Sequence, residues 1–286
     1  MLSSTVQHTQ FIGTYGAGLG YRKQLSEELT ARRAHLDVVE ILADQWLGDG
    51  DLPRLQRIAD EFPTVLHGVG MSVAGAGRIP GDYLRRIREV LKICGARYYS
   101  EHLAMTHSPG LDSGHLCPPV INEDSLRTCV RNIDQAQETL GVPLALENIT
   151  YSLALGPDHL AAADFFAEIV SATGCLVLLD VANLYINSKN HHFDPLSYLD
   201  KFPVNRVVQI HLAGGVLLTS GALVDSHSEA IAEDIWKLAG ESSKRCNPST
   251  VIIERDQNFS DVDALITEVA RGREIYFPEW GTGRIS

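Results

Sequence analysis

Eight short apolar runs recur along the chain, and segments with helical periodicity separate them. The runs are AGLGY (17–21), LDVVEIL (36–42), TVLHGVG (64–70), YYSEHLA (98–104), PLALENI (143–149), LVLLDVAN (176–183), VVQIHLA (207–213) and TVIIERD (250–256). Strand-length apolar runs that alternate with helices are typical of a parallel sheet covered by helices. Eight such repeats in 286 residues predict one α/β domain over residues 1–286, a (β/α)8 TIM barrel.

The segments between the runs support this interpretation. YLRRIREVLKIC (83–94) places Leu84, Ile87 and Leu91 on one face, as an amphipathic helix does. The segment 125–141 ends in Gly141, which is a typical helix stop. A doubly wound open sheet is the alternative, but no GxGxxG motif opens its first helix. The glycines of GAGLG (16–20) have the wrong spacing for a phosphate loop and indicate a strand at a crowded position.

The charge and composition of the chain limit the classes of partner and the compartment that we expect. The formal net charge of -12 argues against a nucleic-acid backbone or an anionic membrane as the main partner. No apolar run approaches the roughly 20 residues of a membrane span, and the first ten residues lack the pattern of a secretory signal. The five cysteines are scattered and form no CxxC pair. We therefore expect a protein of the reducing cytoplasm.

Acids and imidazoles stand at or just after the ends of the predicted strands. They are His67, His102, Glu147, Asp180, Asn183, His211 and Glu254, together with Asp225 and His227 in a short loop after the seventh run. The carboxyl ends of the strands of a parallel barrel meet on one face, where active sites lie. A buried carboxylate such as Glu147 is costly unless something pairs with it, and a divalent cation does so. Imidazole and carboxylate ligands suit such a metal.

Each of these residues also has a simpler interpretation. A single histidine at a strand end is most often a hydrogen-bonded structural residue, Asp180 could cap the segment that follows it, and Glu254 could pair with Arg255. Applied to the whole set, those interpretations require separate coincidences at the same end of five or six strands. Nine candidate ligands exceed the about four to six that one ion takes. The sequence therefore predicts two or three metals, with Glu147 as a bridge.

The motifs also carry a family resemblance along nearly the whole chain. GAGLGYR, HGVGMSV, SEHLA, LENI, DVANLYIN, NHHFDP, QIHLAG and DSHSE occur in that order. This ordered set resembles the multinuclear non-heme iron-dependent oxidative enzymes, a family related to the methanobactin biosynthesis oxidase. The family was long catalogued as a domain of unknown function among the xylose-isomerase-like TIM barrels, and the resemblance implies that fold.

The resemblance implies a centre of two or three irons in mixed Fe(II)/Fe(III) states. Carried over residue by residue, the first iron would be held by His67, His102 and Glu147. The second would be held by Glu147, Asp180, His211 and Glu254, and the third by Asn183, Asp225 and His227. The chain departs from the family pattern in the sixth loop, where Ala182 precedes Asn183 and Lys189 replaces a frequent histidine.

The implied activity is an O2-dependent oxidation. Characterised relatives modify ribosomally made precursor peptides, often at cysteine, in natural-product biosynthesis. They usually act with a small partner protein that recognises the leader segment of the precursor. The catalytic residues that we expect here are Glu147, Asp180 and His191. Of these, His191 would line the substrate pocket. No nucleic acid or membrane is an expected partner.

Two other classes of function use the same residues differently. A sugar isomerase or epimerase, or an endonuclease, would hold zinc, manganese or magnesium in the same barrel, because fold and ligand type do not fix the reaction. The acidic net charge counts against an endonuclease. A binding module without catalysis would be expected to have lost ligands, whereas the full candidate set is present.

Overall fold

Eight parallel strands form a closed barrel in the computed structural model, which describes residues 12–48, 51–153, 156–157 and 160–280. In chain order they are β1 Gly16–Gly20, β2 Val38–Leu42, β3 Thr64–Gly68, β4 Tyr99–His102, β5 Leu144–Glu147, β6 Leu176–Asp180, β7 Val207–Ala213 and β8 Thr250–Glu254. Each strand pairs with the next one along the chain, and β8 closes the barrel against β1. The predicted barrel is confirmed.

Helices follow the strands and cover the outside of the barrel. The α-helices of the described residues are α1 Ser26–Ala31, α2 Leu52–Glu61, α3 Gly81–Cys94, α4 Glu123–Leu140, α5 Leu160–Thr173, α6 Val181–His191, α7 Pro195–Lys201, α8 Glu233–Ser243 and α9 Val262–Tyr276. Short 3-10 helices span Lys23–Leu25, Arg33–His35, Ala43–Trp46, Val204–Arg206 and Pro278–Trp280. None of the helices in this part of the chain is long and apolar enough to cross a membrane.

Two β-hairpins extend from the face of the barrel where the strands end. Met105–Ser108 pairs with Leu111–Cys117 after β4, and Gly215–Leu217 pairs with Leu223–Asp225 after β7. Both pairs are antiparallel and belong to loops that follow barrel strands. They therefore stand beside the face on which the active sites of such barrels lie.

The predicted boundaries are wrong in the sixth repeat. The run 176–183 was expected to be one strand, but the strand ends at Asp180 and α6 begins at Val181. The cause is helix capping, because Asp180 Oδ1 accepts a hydrogen bond from Asn183 N at 2.7 Å. The sequence DHLAAADFFAEIVSATG also predicts a helix over residues 158–174, of which the first two lie outside the described residues. That the whole chain forms one domain stays a prediction.

The interior of the barrel has two layers of different polarity. Side chains two residues apart on a strand share a face, so Val38 and Glu40 both point inward on β2. The floor, near the strand starts, is an apolar cluster that includes Val38, Val65, Tyr98, Ala145, Leu176, Leu178 and Ile252. The layer above it is polar and includes Glu40, His67, Ser100, Glu147, Asp180, His211 and Glu254, all buried. The larger apolar core lies between the strands and the helices.

Candidate metal centre

Glu147 occupies the middle of the polar layer. Its Oε2 lies 3.3 Å from His67 Nε2 and 3.3 Å from His102 Nε2. Its Oε1 faces the opposite way and lies 3.4 Å from His211 Nδ1. The two oxygens of one carboxylate thus face two different groups of side chains, as a carboxylate that bridges two cations does.

Two groups of potential ligands share this residue. His67, His102 and Glu147 offer one ligand atom each within 4.8 Å of one another, and so do Glu147, Asp180, His211 and Glu254. In the second group, His211 Nδ1 lies 3.1 Å from Glu254 Oε2. Strands β3 to β8 each end with one of these residues or carry it one or two positions before the end, so the barrel itself sets their spacing.

The third predicted group lies nearer the solvent. His227 Nε2 lies 2.9 Å from Asp225 Oδ1 and 3.8 Å from Glu254 Oε2. Asn183 donates through Nδ2 to the carbonyl of Asn148 at 3.1 Å, which leaves its Oδ1 available. Asp225 and His227 side chains are each 18% exposed, whereas in the other two groups the His102 side chain is 12% exposed and the remaining side chains are buried.

Several buried ligand atoms lack a hydrogen-bond partner. They include Glu147 Oε2, Asp180 Oδ2, Asn183 Oδ1, His211 Nδ1, Asp225 Oδ1 and His227 Nε2. Buried polar atoms are nearly always satisfied, so a set of six in one place requires an explanation. Each of the three predicted groups contributes at least one of them. Divalent cations would satisfy all six atoms and neutralise the carboxylates, so the residues present fit a metal centre.

Of the simpler interpretations of single residues, the structure contradicts the one for Glu254 and confirms the one for Asp180. Arg255 pairs with Glu268 at 3.3 Å and not with Glu254, so Glu254 is left to the centre. Asp180 does cap α6 with one oxygen, but its other oxygen is among the unpartnered atoms. The structural role and the predicted ligand role of Asp180 are therefore compatible.

The pKa values of two carboxyl groups in the centre, Glu147 and Asp180, are shifted in opposite directions. Burial works to raise the pKa of Glu147, but the charges of His102, His211 and His67 outweigh it and bring that pKa to about 2. Burial raises the pKa of Asp180 well above its usual range, and the charges of Glu147, Asp225 and Glu254 add to the rise. Without a cation, burial and the neighbouring charges therefore favour the protonated form of Asp180 and the ionised form of Glu147.

The pKa values of the histidines in the centre are also shifted in different directions. Burial lowers the pKa of His67. Burial opposes charging of His102 too, but the Glu147 charge and the Glu101 hydrogen bond raise its pKa to about 9. The pKa of His227 rises to about 12 because the Glu254 charge and the Asp225 and Asp256 contacts overcome burial. Protonated histidines thus stand beside ionised carboxylates in the metal-free centre, and a cation would displace those protons.

Residues that the sequence analysis missed hold the outer nitrogen of each imidazole. Ser100 Oγ lies 3.0 Å from His67 Nδ1, and the Gly68 carbonyl lies 3.1 Å from His102 Nδ1. Asp256 Oδ2 lies 3.3 Å from His227 Nδ1, and Glu40 Oε2 lies 2.9 Å from His211 Nε2. The two-residue period of a strand was the available signal. Ser100 and Glu40 lie two residues after inward-facing Tyr98 and Val38 and therefore share their inward face.

His191 belongs to none of the groups of potential ligands found among the described residues. Its Nε2 lies 2.7 Å from the Tyr151 carbonyl, and its ring stacks on the Tyr151 ring at 4.7 Å. Tyr151 in turn lines an apolar cavity with Leu103, Phe165 and Tyr198, on the side of β5 and β6. The catalytic role of His191 stays a prediction.

Sequence comparison identifies the family. Residues 16–276 match the model of the family described as RiPP precursor modification enzyme MbnB/TglH/ChrH. The chain belongs to this family. A UPF0276 protein of Caulobacter vibrioides is 35% identical over 276 residues, which cover 94% of this chain and 95% of that protein. A UPF0276 protein of Acaryochloris marina is 33% identical over 254 residues, which cover 88% and 92% of the two chains.

Solved structures share the fold of this member of the MbnB/TglH/ChrH family. D-psicose 3-epimerase from Clostridium cellulolyticum H10 superposes with a TM-score of 0.55 at 11% identity, covering 91% of this chain and 89% of that one. Endonuclease IV from Thermus thermophilus gives a TM-score of 0.54 at 19% identity, covering 93% and 100%. At these identities the likeness shows the barrel alone.

Proposed function

We propose that this chain is a multinuclear non-heme iron, O2-dependent oxidase that modifies a ribosomally made precursor peptide, with cysteine as the target residue. The observation that supports a multinuclear centre is the position of Glu147, whose two oxygens face two separate groups of buried ligands. The family supports a precursor peptide as the substrate. The imidazole and carboxylate ligand set suits iron.

The roles of the chain's own residues follow from their places. His67 and His102 would hold one iron with Glu147, and Asp180, His211 and Glu254 would hold the second with the same carboxylate. Asn183, Asp225 and His227 would hold a third. Bound iron would supply the redox chemistry with O2, and the protein would orient the substrate and tune the metals. Glu147 would contribute one oxygen to each of the first two groups of ligands.

The peptide would reach the centre from the face where the strands end. The hairpin after β7 carries Asp225 and exposes Leu217, Leu218 and Val224 beside it. Exposed apolar side chains in a cluster are typical of a binding surface. We propose that the peptide lies against this hairpin, that His191 contacts it, and that a small partner protein supplies recognition of the leader segment.

Anaerobic reconstitution with Fe(II) tests the proposal. Bound iron is counted by mass spectrometry, and O2 is then added with the precursor peptide and the candidate partner. We expect more than one iron per chain, O2 consumption and an oxidised peptide for the natural protein. Glu147→Gln should lose iron and abolish turnover, because an amide cannot bridge two cations as an anion.

Asp37→Asn is the matched control for Glu147→Gln. Asp37 is a partly buried carboxylate, whereas Glu147 is fully buried, and it pairs with Arg273 near the start of β2, at the opposite end of the barrel. The Asp37→Asn protein should keep the full iron content and the full turnover of the natural protein. A Glu147→Gln protein that retains both would contradict the bridging role.

A divalent-metal epimerase or endonuclease is the second candidate. The observation in its favour is the ligand set, in which the three groups contain no cysteine and would also accept zinc or manganese. Metal analysis of aerobically purified protein separates the two. Coloured protein with an iron signal supports the oxidase, and colourless protein that contains zinc supports the alternative.

A further inference from the structure

Glu40 is a buried carboxylate that none of the predicted metal groups includes. It lies in the polar layer on β2 and is 0% exposed. Among the described residues, the only basic side chain within 4.0 Å of it is His211, whose Nε2 lies 2.9 Å from Glu40 Oε2. A buried acid without lysine or arginine is costly, so its contact with His211 needs a reason.

A chain of hydrogen bonds fixes the place of this carboxylate. Tyr98 OH donates to Gln209 Oε1 at 2.6 Å, and this contact turns the Gln209 amide nitrogen toward Glu40. Gln209 Nε2 then donates to the Glu40 oxygen that faces His211. Tyr98 also contacts Thr250 at 3.1 Å, so the arrangement is held by β7, by β8 and by the residue that precedes β4.

The contact decides which nitrogen of His211 carries the proton. An ionised carboxylate oxygen only accepts, so His211 Nε2 donates to Glu40 Oε2 at 2.9 Å, and Gln209 Nε2 lies 2.8 Å from the same imidazole nitrogen. With its proton on Nε2, a neutral imidazole has its lone pair on Nδ1. That atom has no hydrogen bond and lies 3.1 Å from Glu254 Oε2, inside the group with Glu147 and Asp180.

We propose that Glu40 is a positioning residue that fixes the tautomer and ring orientation of His211 for metal binding through Nδ1. The inference rests on the proposed function. The outer nitrogen of His211 faces a carboxylate, whereas those of His67 and His102 face a serine hydroxyl and a carbonyl. A carboxylate behind a metal-bound imidazole makes that imidazole a stronger donor. Glu40 would therefore strengthen metal binding by the second group, as the Asp256 carboxylate behind His227 would in the third.

Anaerobic titration with Co(II), followed by its visible absorption, tests this role without any turnover. For Glu40→Gln we expect one Co(II) equivalent to bind about 10–100-fold more weakly, with a shifted band, and the same stoichiometry at saturation as the natural protein. Glu40→Asp keeps the charge but draws the carboxylate back by one methylene, and it provides the same test where Glu40→Gln does not fold. Asp37→Asn should match the natural protein.

Two results would overturn the proposal. An unchanged affinity and spectrum would mean that Glu40 does not act on the metal through His211. Loss of a whole equivalent at saturating Co(II) would make Glu40 a ligand itself, with His67 and His211. Failure of the natural protein to bind Co(II) would contradict the proposed function rather than the role of Glu40.

Discussion

At the scale of single residues, the centre is organised by which atom of each side chain faces inward. Glu147 turns one oxygen to His67 and His102 and the other to His211. The outer imidazole nitrogens are held by fixed acceptors, so the rings cannot rotate freely. Preorganised ligands of this kind bind metal without the entropy cost of ordering them.

Proton release on metal binding is the first prediction at this scale. The pKa of His102 is raised to about 9, so this ligand holds a proton at pH 7 in the metal-free protein, and the raised pKa of Asp180 favours its protonated form. A metal requires both without those protons. We expect zinc added to weakly buffered apoprotein to release more than one proton per chain, read with a pH indicator, and the apparent affinity to rise with pH up to about 9.

Two variants give the control for that measurement. His102→Gln should release fewer protons than the natural protein, because one protonated ligand is missing. His115→Gln removes an exposed histidine of the first hairpin and should behave like the natural protein. Zinc binding with no acidification would contradict the assignment of protons to these ligands.

The sequence predicted most of the side chains that come together in the centre and missed the residues behind them. Acids and imidazoles that interrupt an apolar run are visible as interruptions, as at His211 and Glu254. Glu40 also interrupts a run, but no polar residue follows it at the end of β2, and a single acid has many structural explanations. Ser100 and Gln209 are invisible as supporting residues until the barrel brings them beside a histidine on the same or another strand.

At the scale of elements, the junction of β6 and α6 carries the centre's tightest backbone constraint. Asn148 accepts from Asp180 N at 3.0 Å and donates to the Asp180 carbonyl at 2.8 Å. Asn183 in α6 bonds back to the Asn148 carbonyl. Two neighbouring strand ends and a helix start are therefore held together where two metal groups meet.

Gly18→Ala is the prediction at the scale of elements. A Cβ at Gly18 would lie 1.7 Å from the carbonyl oxygen of Val38 in the neighbouring strand, and backbone cannot rotate away as a side chain does. We expect a loss of about 3 kcal/mol in the free energy of unfolding, measured by chemical denaturation.

Gly240→Ala is the matched substitution, because Gly240 lies in α8 with no heavy atom within 4 Å of an added Cβ. It should leave stability unchanged or raise it by up to about 1 kcal/mol, since alanine favours the helix. Equal stability of Gly18→Ala and the natural protein would show that β1 and β2 can separate without cost.

Element boundaries were predictable where polarity changed and not where it did not. Residues 207–213 were predicted as a strand and form β7 with the same bounds, and every residue of this strand is buried whereas Arg206 before it is only partly buried. Helix α6 was missed because it has no polar face to create a helical period. Seven of its 11 residues are buried, including Asn183, Asn187 and Ser188.

At the scale of the whole molecule, the centre links regions far apart in the chain. Residues from β3 to β8 contribute to it, so cations bound there connect most of the barrel. Closure of the sheet was predictable from eight repeats. The depth of the polar layer was not, because it depends on how the strands align when the barrel closes.

Metal removal is the prediction at this scale. A metal that binds only the folded chain stabilises it, by about 4 kcal/mol at a thousandfold excess over the dissociation constant. We expect chelation to lower the melting temperature of the metal-loaded protein by about 10 °C, and metal addition to restore it. Glu147→Gln should show a smaller shift. An identical melting temperature with and without metal would contradict a native metal centre.

The apolar floor of the barrel has a consequence for how a substrate moves. Val65, Tyr98 and Ile252 fill the space below the centre and are fully buried, so the chamber above them is blind-ended. A peptide cannot be threaded through the protein. A peptide substrate, as proposed, would approach the centre and leave it on the side where the strands end.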